Sequence, residues 1–444
     1  MRLNCFALLA VLMCGSSVRA EVLWPQFRSP DGQGHAEAVG VPLHWGEDEN
    51  IVWKTPVEGL GWSSPVVAEG KIWLTTAIPT YVSEEERAAK VEGLPLPGQL
   101  AVASEVSLWA MSFDLASGDL LQKIKLFSVE SPQVIHSLNS FASPTSVLGE
   151  GRLYCHFGAH GTACVDTNSG DIVWKSSFEV QHSVGPGSSP VLFEDLLIFP
   201  CDGTDDQFVV AVNTANGEPV WQTDRPPMRS EQGDYQKAFS TPLVIEFNGE
   251  KQVVVPGAQW FVSYNPRTGK EIWRVDHDSG FSTVPRAVYD GVRLYLCTGF
   301  VRGQLWAVRP DGTGDVTETH VDWKRTKQIP TMPSPLVVDG KVYVVSDGGV
   351  ASCFEASTGD ELWRKRMGGK YSASPLYVDG RLYFCNHEGV TTVLAPSEEY
   401  QELAQNELEG QLMASPVAVE RDLLLRSDTH LYRIGDGGVK VQGR

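Results

Sequence analysis

Residues 333–364 read PSPLVVDGKVYVVSDGGVASCFEASTGDELWR, and this stretch decides the fold. A Ser-Pro pair opens it. Leu336 to Val338 form a short apolar run, Asp339-Gly340 a turn, and Lys341 to Val345 a second run with period-two alternation. A third run, Val350 to Phe354, leads into Glu355-Ala356-Ser357-Thr358-Gly359. Gly359 supplies the positive-φ residue of a tight turn, a conformation glycine adopts at no steric cost. A fourth run ends in Trp363. The stretch is one unit of four short strands.

The unit recurs. Its small-residue–proline opening returns at Pro65, Pro144, Pro190, Pro242, Pro285, Pro335, Pro375 and Pro416. That makes eight units with a period of about 50 residues, the range of propeller blades. Its second half returns as ACVDTNSGDIVWK (163–175), VAVNTANGEPVWQ (210–222) and VSYNPRTGKEIWR (262–274). Trp174, Trp221, Trp273, Trp323 and Trp363 share one repeat position. A large aromatic repeated there reads as a docking residue that packs one unit on the next. The pattern predicts an all-β protein: an eight-bladed β-propeller of four-stranded antiparallel blades. The last unit offers only three strands, 415–419, 423–426 and 431–434. The orphan tryptophan strand, Asn50-Ile51-Val52-Trp53-Lys54-Thr55, lies at the other end of the chain. Placed on the last blade, it closes the ring and removes an open sheet edge. Two blades depart from the pattern. Leu121 stands in the tryptophan place of blade one, and Ala395-Pro396-Ser397 replaces the turn of blade seven.

These repeats resemble those of the pyrroloquinoline-quinone (PQQ) repeat β-propellers. That superfamily includes quinoprotein alcohol dehydrogenases and the propeller lipoprotein of the outer-membrane barrel-assembly machinery. The resemblance runs from Asn50 to about Gly435. WPQFRSPDGQG (24–34), HFGAHGTACVD (156–166) and RPDGTGDVT (309–317) are similar, more narrowly, to stretches of exported bacterial PQQ-like proteins. The resemblance implies the fold. It leaves function open, because propellers host many functions.

Composition sets the remaining bounds. The chain has 444 residues, 42% hydrophobic, with 13 Trp, which rules out disorder as the main state. Its formal net charge of −19 argues against nucleic-acid binding through a basic surface. No apolar run reaches the roughly 18 residues that mark a membrane span, so no transmembrane segment is expected. Residues 1–20 read as a signal peptide: Arg2, an apolar stretch from Cys5 to Cys14, and small Val18 and Ala20 before a cut after Ala20. Met13 before Cys14 is bulkier than a lipidation signal tolerates. The expected organisation is a signal at 1–20, an extension packed on the propeller at 21–49, and the propeller at 50–444. An insert over 77–107 carries a short helix capped by Ser83. Export places the protein in the periplasm or outside the cell. Six cysteines follow residue 20, none in a CxxC pair, and they read as buried free thiols.

Two loop sets of every blade open on one face. Before the innermost strands come His136, Asn139, His182, Lys237, His277 and Lys370. Between the second and third strands come His160, Asp202, Asp205, Gln259, Arg302, Asp347, His387, Asp428 and His430. We read this face as a ligand-binding funnel, since it gathers loops from every blade. Two functions compete. The first is a monomeric binding scaffold for an envelope protein, a glycan or a small ligand. The second is a quinoprotein dehydrogenase of an alcohol or sugar. It would need PQQ in the funnel, calcium polarising the quinone, and Asp202, Asp205, Asp347 or Asp428 as the base. The adjacent cysteine pair usual in those dehydrogenases is missing, and so is a CxxCH haem site. No HExxH or CxxC spacing assigns a metal.

Overall fold

The computed structural model describes residues 24–300 and 302–436. The segment read as a signal, residues 1–20, lies outside them. Eight small antiparallel sheets follow in chain order around a ring. Blade one is Val66–Ala68, Lys71–Tyr81, Ala103–Asp114 and Leu120–Glu130. Blade six, the unit quoted first, is Leu336–Val338, Lys341–Val345, Val350–Glu355 and Glu361–Arg366. Blade eight takes Val417–Val419, Asp422–Arg426 and His430–Ile434 from the end of the chain. Its outermost strand is Ile51–Pro56, paired antiparallel with His430–Ile434. The expected closure is present.

The repeated tryptophans join blade to blade. The indole N–H donates to a turn carbonyl of the following blade: Trp174 to Thr214 at 2.9 Å, Trp221 to Pro266 at 3.0 Å, Trp323 to Ala356 at 3.0 Å and Trp363 to Ser397 at 3.0 Å. Trp53, on the closing strand, donates to Leu115 of blade one at 3.1 Å. On Trp53, Trp174, Trp221 and Trp323 the turn glycine of the next blade, Gly118, Gly217, Gly269 and Gly359, packs against the same ring, whereas blade seven has no such glycine for Trp363. Trp273 departs, because blade five replaces the short turn with Arg309 to Val316. Its indole donates instead to Gln252 Oε1 at 2.9 Å, and Gln252 Nε2 donates to Pro310 O at 3.1 Å.

Gly217 tests this arrangement. It has φ of +74°, and a Cβ there would meet Trp174 ring carbons at 2.5 Å. Gly340 has the same sign, φ +73°, with nothing within 4 Å. Gly340→Ala should cost only the left-handed backbone penalty, about 1–2 kcal/mol. Gly217→Ala must also displace the indole, and should cost about 3 kcal/mol or more. Urea denaturation of the two variants checks the difference; equal losses would contradict the docking role.

The segment from Trp24 to Ala36 crosses the axis. Trp24 pairs with Val67 of blade one, and Pro25 O accepts from Leu148 N of blade two. Gln33 exchanges hydrogen bonds with Tyr289 of blade five at 3.0 and 3.1 Å. Gly34 O accepts from Tyr377 N, and His35–Ala36 runs parallel beside Tyr377–Val378 of blade seven. Touching inner strands on opposite sides of the ring, this segment stoppers the central channel. Trp24 is 2% exposed and belongs to the core.

In blade one the strands run on to Tyr81 and resume at Ala103, so strand pairing occupies both ends of the 77–107 region. Between them is a helix, Glu84–Val91, whose Glu86 N donates to Ser83 Oγ at 3.2 Å. Val91 packs with Leu100 and Val102 in a small core of its own.

Candidate functional site

The residue before each blade's proline faces the axis. Ser64, Ser143, Ser189, Thr241, Ser334, Ser374 and Ser415 all line one central cavity, with Thr145 beside them and Val284 in blade five. Their hydroxyls tie the ring together. In blade two Thr145 takes the place of Ser143, and each hydroxyl of the belt accepts a backbone N–H from the blade before: Ser64 N to Thr145 Oγ1 at 2.9 Å, Thr145 N to Ser189 Oγ at 2.9 Å, and Ser189 N to Thr241 Oγ1 at 3.1 Å. The belt resumes with Arg286 N to Ser334 Oγ at 2.9 Å, Ser334 N to Ser374 Oγ at 3.0 Å and Ser374 N to Ser415 Oγ at 2.9 Å. Ser415 N to Ser64 Oγ at 3.1 Å closes it. The break falls where Val284 has no hydroxyl.

Below this ring the channel ends on Phe27 of the crossing segment. Above it the cavity opens into a funnel of about 1140 Å³. Its wall is mainly apolar, with Trp62, Leu138, Val184, Tyr235, Phe239, Phe281, Phe300, Met332 and Met413. Leu94, Pro95, Leu96 and Leu100 reach it from the blade-one insert. The insert therefore forms one side of the mouth. Leu94, Leu96, Leu138, Tyr235 and Phe300 are large apolar side chains at least 40% exposed, and all five gather here. Exposed apolar groups scattered singly mean little, but a contiguous set around a cavity marks an interaction site.

Four of the fifteen expected residues line the funnel: His136, Asn139, Lys237 and Asp347. Lys237 is bound to Asp234 on the same wall. Asp347 accepts from Thr331 N at 2.9 Å, Thr331 Oγ1 at 2.6 Å and Met332 N at 3.1 Å. Asn139 Nδ2 donates to Val184 O and Pro186 O. His136 pairs with Gln99 at 2.7 Å. The other eleven do not line this cavity, and the structure occupies most of them internally. Asp202 holds Arg225 through two bonds, 2.9 and 2.6 Å, with both side chains 1% exposed. Burial raises the Asp202 carboxyl above its ordinary range, and Arg225 opposes the rise. Asp205 accepts from Gln181 N, and Asp428 from Gln411 N. Gln259 bridges Arg229 N and Tyr235 O. His387 reaches Ser372 Oγ, a funnel residue, at 2.8 Å. His277 is fully buried against Gly257 O, and His182 accepts from Ala159 N at 2.7 Å. His160 sits beside Phe141. Arg302, Lys370 and His430 lie away from the cavity, and Arg302 and Lys370 are exposed.

Sequence reading missed the hydroxyl ring. Its signal was the Ser/Thr before the repeat proline, present at seven of the eight with Val284 as the exception, yet it reads equally as strand punctuation. All six cysteines of the described chain are buried free thiols. Burial pushes the Cys155, Cys353 and Cys385 thiols up to about 12.

The donor set does not suit PQQ with calcium. PQQ is a planar quinone with three carboxylates, so its site must supply several cations. The funnel wall has one lysine, already neutralised by Asp234. Among the described residues no three His, Cys, Asp or Glu side chains are grouped to hold a metal ion.

Eight four-stranded antiparallel sheets in a ring closed by the N-terminal strand define an eight-bladed β-propeller. The family model PQQ_2, described as outer membrane protein assembly factor BamB, matches residues 100–259, 159–321 and 257–404. The chain belongs to this family. No curated protein sequence matches it. Among solved structures it resembles the quinohemoprotein alcohol dehydrogenase of Comamonas testosteroni, at 11% identity and TM-score 0.66, over 95% of this chain and 82% of that one. It also resembles a europium-containing methanol dehydrogenase, at 11% identity and TM-score 0.63, over 91% and 89%. At such identities the likeness is one of fold alone. No helix among the described residues is long and apolar enough to cross a membrane.

Proposed function

We propose that this protein is an exported, monomeric binding propeller that takes an apolar or amphipathic ligand into its funnel. The observation carrying the reading is the cavity itself: about 1140 Å³, mainly apolar, blind at Phe27, with five exposed apolar side chains at its mouth. That exceeds the ~300–1,000 Å³ common for small-molecule pockets, and large apolar concavities with a few placed polar groups are the usual binding sites. The wall is mainly apolar, and its charged groups Asp234, Lys237 and Asp347 and the amide of Asn139 are already hydrogen-bonded, which weighs against a glycan ligand; the hydroxyls at the floor are the exception. The dehydrogenase alternative has the fold in its favour and lacks a matching donor set. Export rests on the reading of residues 1–20, and an envelope ligand follows from it.

The test is fluorescence titration with the neutral apolar probe N-phenyl-1-naphthylamine, beside calorimetric titration of PQQ with calcium. Saturable one-to-one probe uptake is expected, with no PQQ heat. Leu96→Asp with Phe300→Asp should weaken probe uptake about tenfold or more, since each places a charge where the probe contacts apolar surface. Absence of probe uptake would overturn the reading, and tight PQQ binding would restore the dehydrogenase.

A further inference from the structure

The funnel floor says which end of a ligand goes down. This inference rests on the binding reading above. We infer that the funnel receives a single-chain anionic amphiphile, its negative headgroup on the hydroxyl ring and its apolar chain toward the mouth.

The first support is the bookkeeping of protons at the ring. Ser64, Thr145, Ser189, Thr241, Ser334 and Ser415 each accept a hydrogen bond from a neighbouring blade. None of these six donates its own O–H to an acceptor among the described residues, whereas Ser374 Oγ donates to Ser334 Oγ. A hydroxyl proton rotates freely about its C–O bond and seeks an acceptor. Six such donors surround one axis, so the ring favours a head rich in lone pairs. A quaternary ammonium head, which has no lone pair to accept these protons, gains little there.

The second support is the sign of the charge beneath. Arg28 and Arg286 are each at most 3% exposed and form no ion pair among the described residues. Both adjoin the ring. Arg286 N donates to Ser334 Oγ, and Arg28 Nη2 donates to the carbonyl of Pro335, the next residue, at 2.8 Å. Arg286 Nη1 donates to Phe27 O at 2.6 Å, under the floor. Arg28 Nε and Nη1 and Arg286 Nε have no hydrogen-bond partner. Burial pushes both guanidiniums down to about 9, so each stays charged at neutral pH. The nearest acid, Asp31, is exposed and engaged with Ser29 Oγ and Gln33 N. On the wall Asp234 is paired with Lys237, whereas Asp347 has no cationic partner among the described residues and accepts from Thr331 and Met332. Two buried positive charges in a low-dielectric base attract one negative head. They lie under Phe27 rather than on the wall, so they act as a field and not as contacts for a tricarboxylate.

The test uses the full chain loaded with N-phenyl-1-naphthylamine. Dodecanoate, dodecyl phosphate, 1-dodecanol and dodecyltrimethylammonium compete for the probe below their micelle concentrations. The two anions should displace it at about tenfold lower concentration than the alcohol, and the ammonium should be weakest. Dodecanoate ahead of the phosphate identifies a fatty-acid type of head; the reverse order identifies a phosphate monoester. As a second readout, carboxyl-labelled dodecanoate followed by carbon NMR should stay ionised to lower pH when bound. Equal displacement by anion, alcohol and ammonium, with the probe still bound, overturns this inference alone. A bound carboxyl that protonates at higher pH than the free one overturns it too. No probe uptake at all overturns the binding reading with it.

Discussion

A chain lacking residues 21–60 is expected not to fold. The strand Ile51–Pro56 supplies the outer edge of blade eight, and without it His430–Ile434 presents an unpaired edge. The same deletion removes the joint between the last blade and the first. Trp53 donates to Leu115, and Gly118 of blade one packs on its ring. Lys54 bridges Glu47 and Glu409 at 2.7 and 3.0 Å. Trp24, Val41, Trp45, Ile51 and Val57 are each at most 6% exposed. Burial of one such side chain contributes about 1.5–3 kcal/mol, so five contribute roughly 7–15. That equals the whole stability of a typical domain, about 5–15 kcal/mol. Far-UV circular dichroism, thermal melting and size exclusion read the outcome together. Loss of the cooperative melt, with aggregation, is the expected result. A truncated chain that melts like the complete one would refute the closure argument.

The periodic part of this fold was legible in the sequence for a physical reason. Each blade repeats the same local problem: a turn that needs positive φ, and an indole that must cover it from the neighbouring blade. Gly217 under Trp174 and Gly269 under Trp221 are solutions of that one problem, so both halves recur at fixed spacing. Blade eight was legible as an incomplete unit whose missing strand stood at residues 50–55.

What crosses the axis was not legible. Gln33 meets Tyr289, and Arg28 meets Pro335, across hundreds of residues with no period linking them. The loop residues were visible as polar, but their engagement was hidden. Asp202 looked like a ligand-facing residue and a candidate catalytic base until Arg225, 23 residues on, took both its oxygens. The apolar funnel wall was hidden for the same reason, since Leu96, Leu138, Val184 and Phe300 come from four unrelated loops.

Between pH 7 and pH 5 the protein should lose a large share of its stability. Burial pushes His156 and His182 down to about 3, and His160 and His277 to about 4. His156, His160 and His182 are neighbours whose positive forms would repel, which adds to the effect. The sign follows from linkage. The folded values lie below the ordinary 6.5, so the unfolded chain binds protons that the folded chain refuses. Stability is therefore complete above about pH 6.5 and falls as pH drops toward 3–4. At pH 5 each histidine contributes a loss of about 2 kcal/mol, or on the order of 8 for the four. Local opening of loops lets some of them protonate without global unfolding, so the measured loss should be smaller. Carboxylates held low by hydrogen bonds, such as Asp166 and Asp315, matter only at more acid pH. Urea denaturation at pH 5, 6 and 7 measures the slope. His277→Gln, which keeps an N–H for Gly257 O, should remove about one proton from it. A flat profile over this range would mean that these imidazoles are not held neutral by burial, and the burial described for His182 and His277 would have to be abandoned.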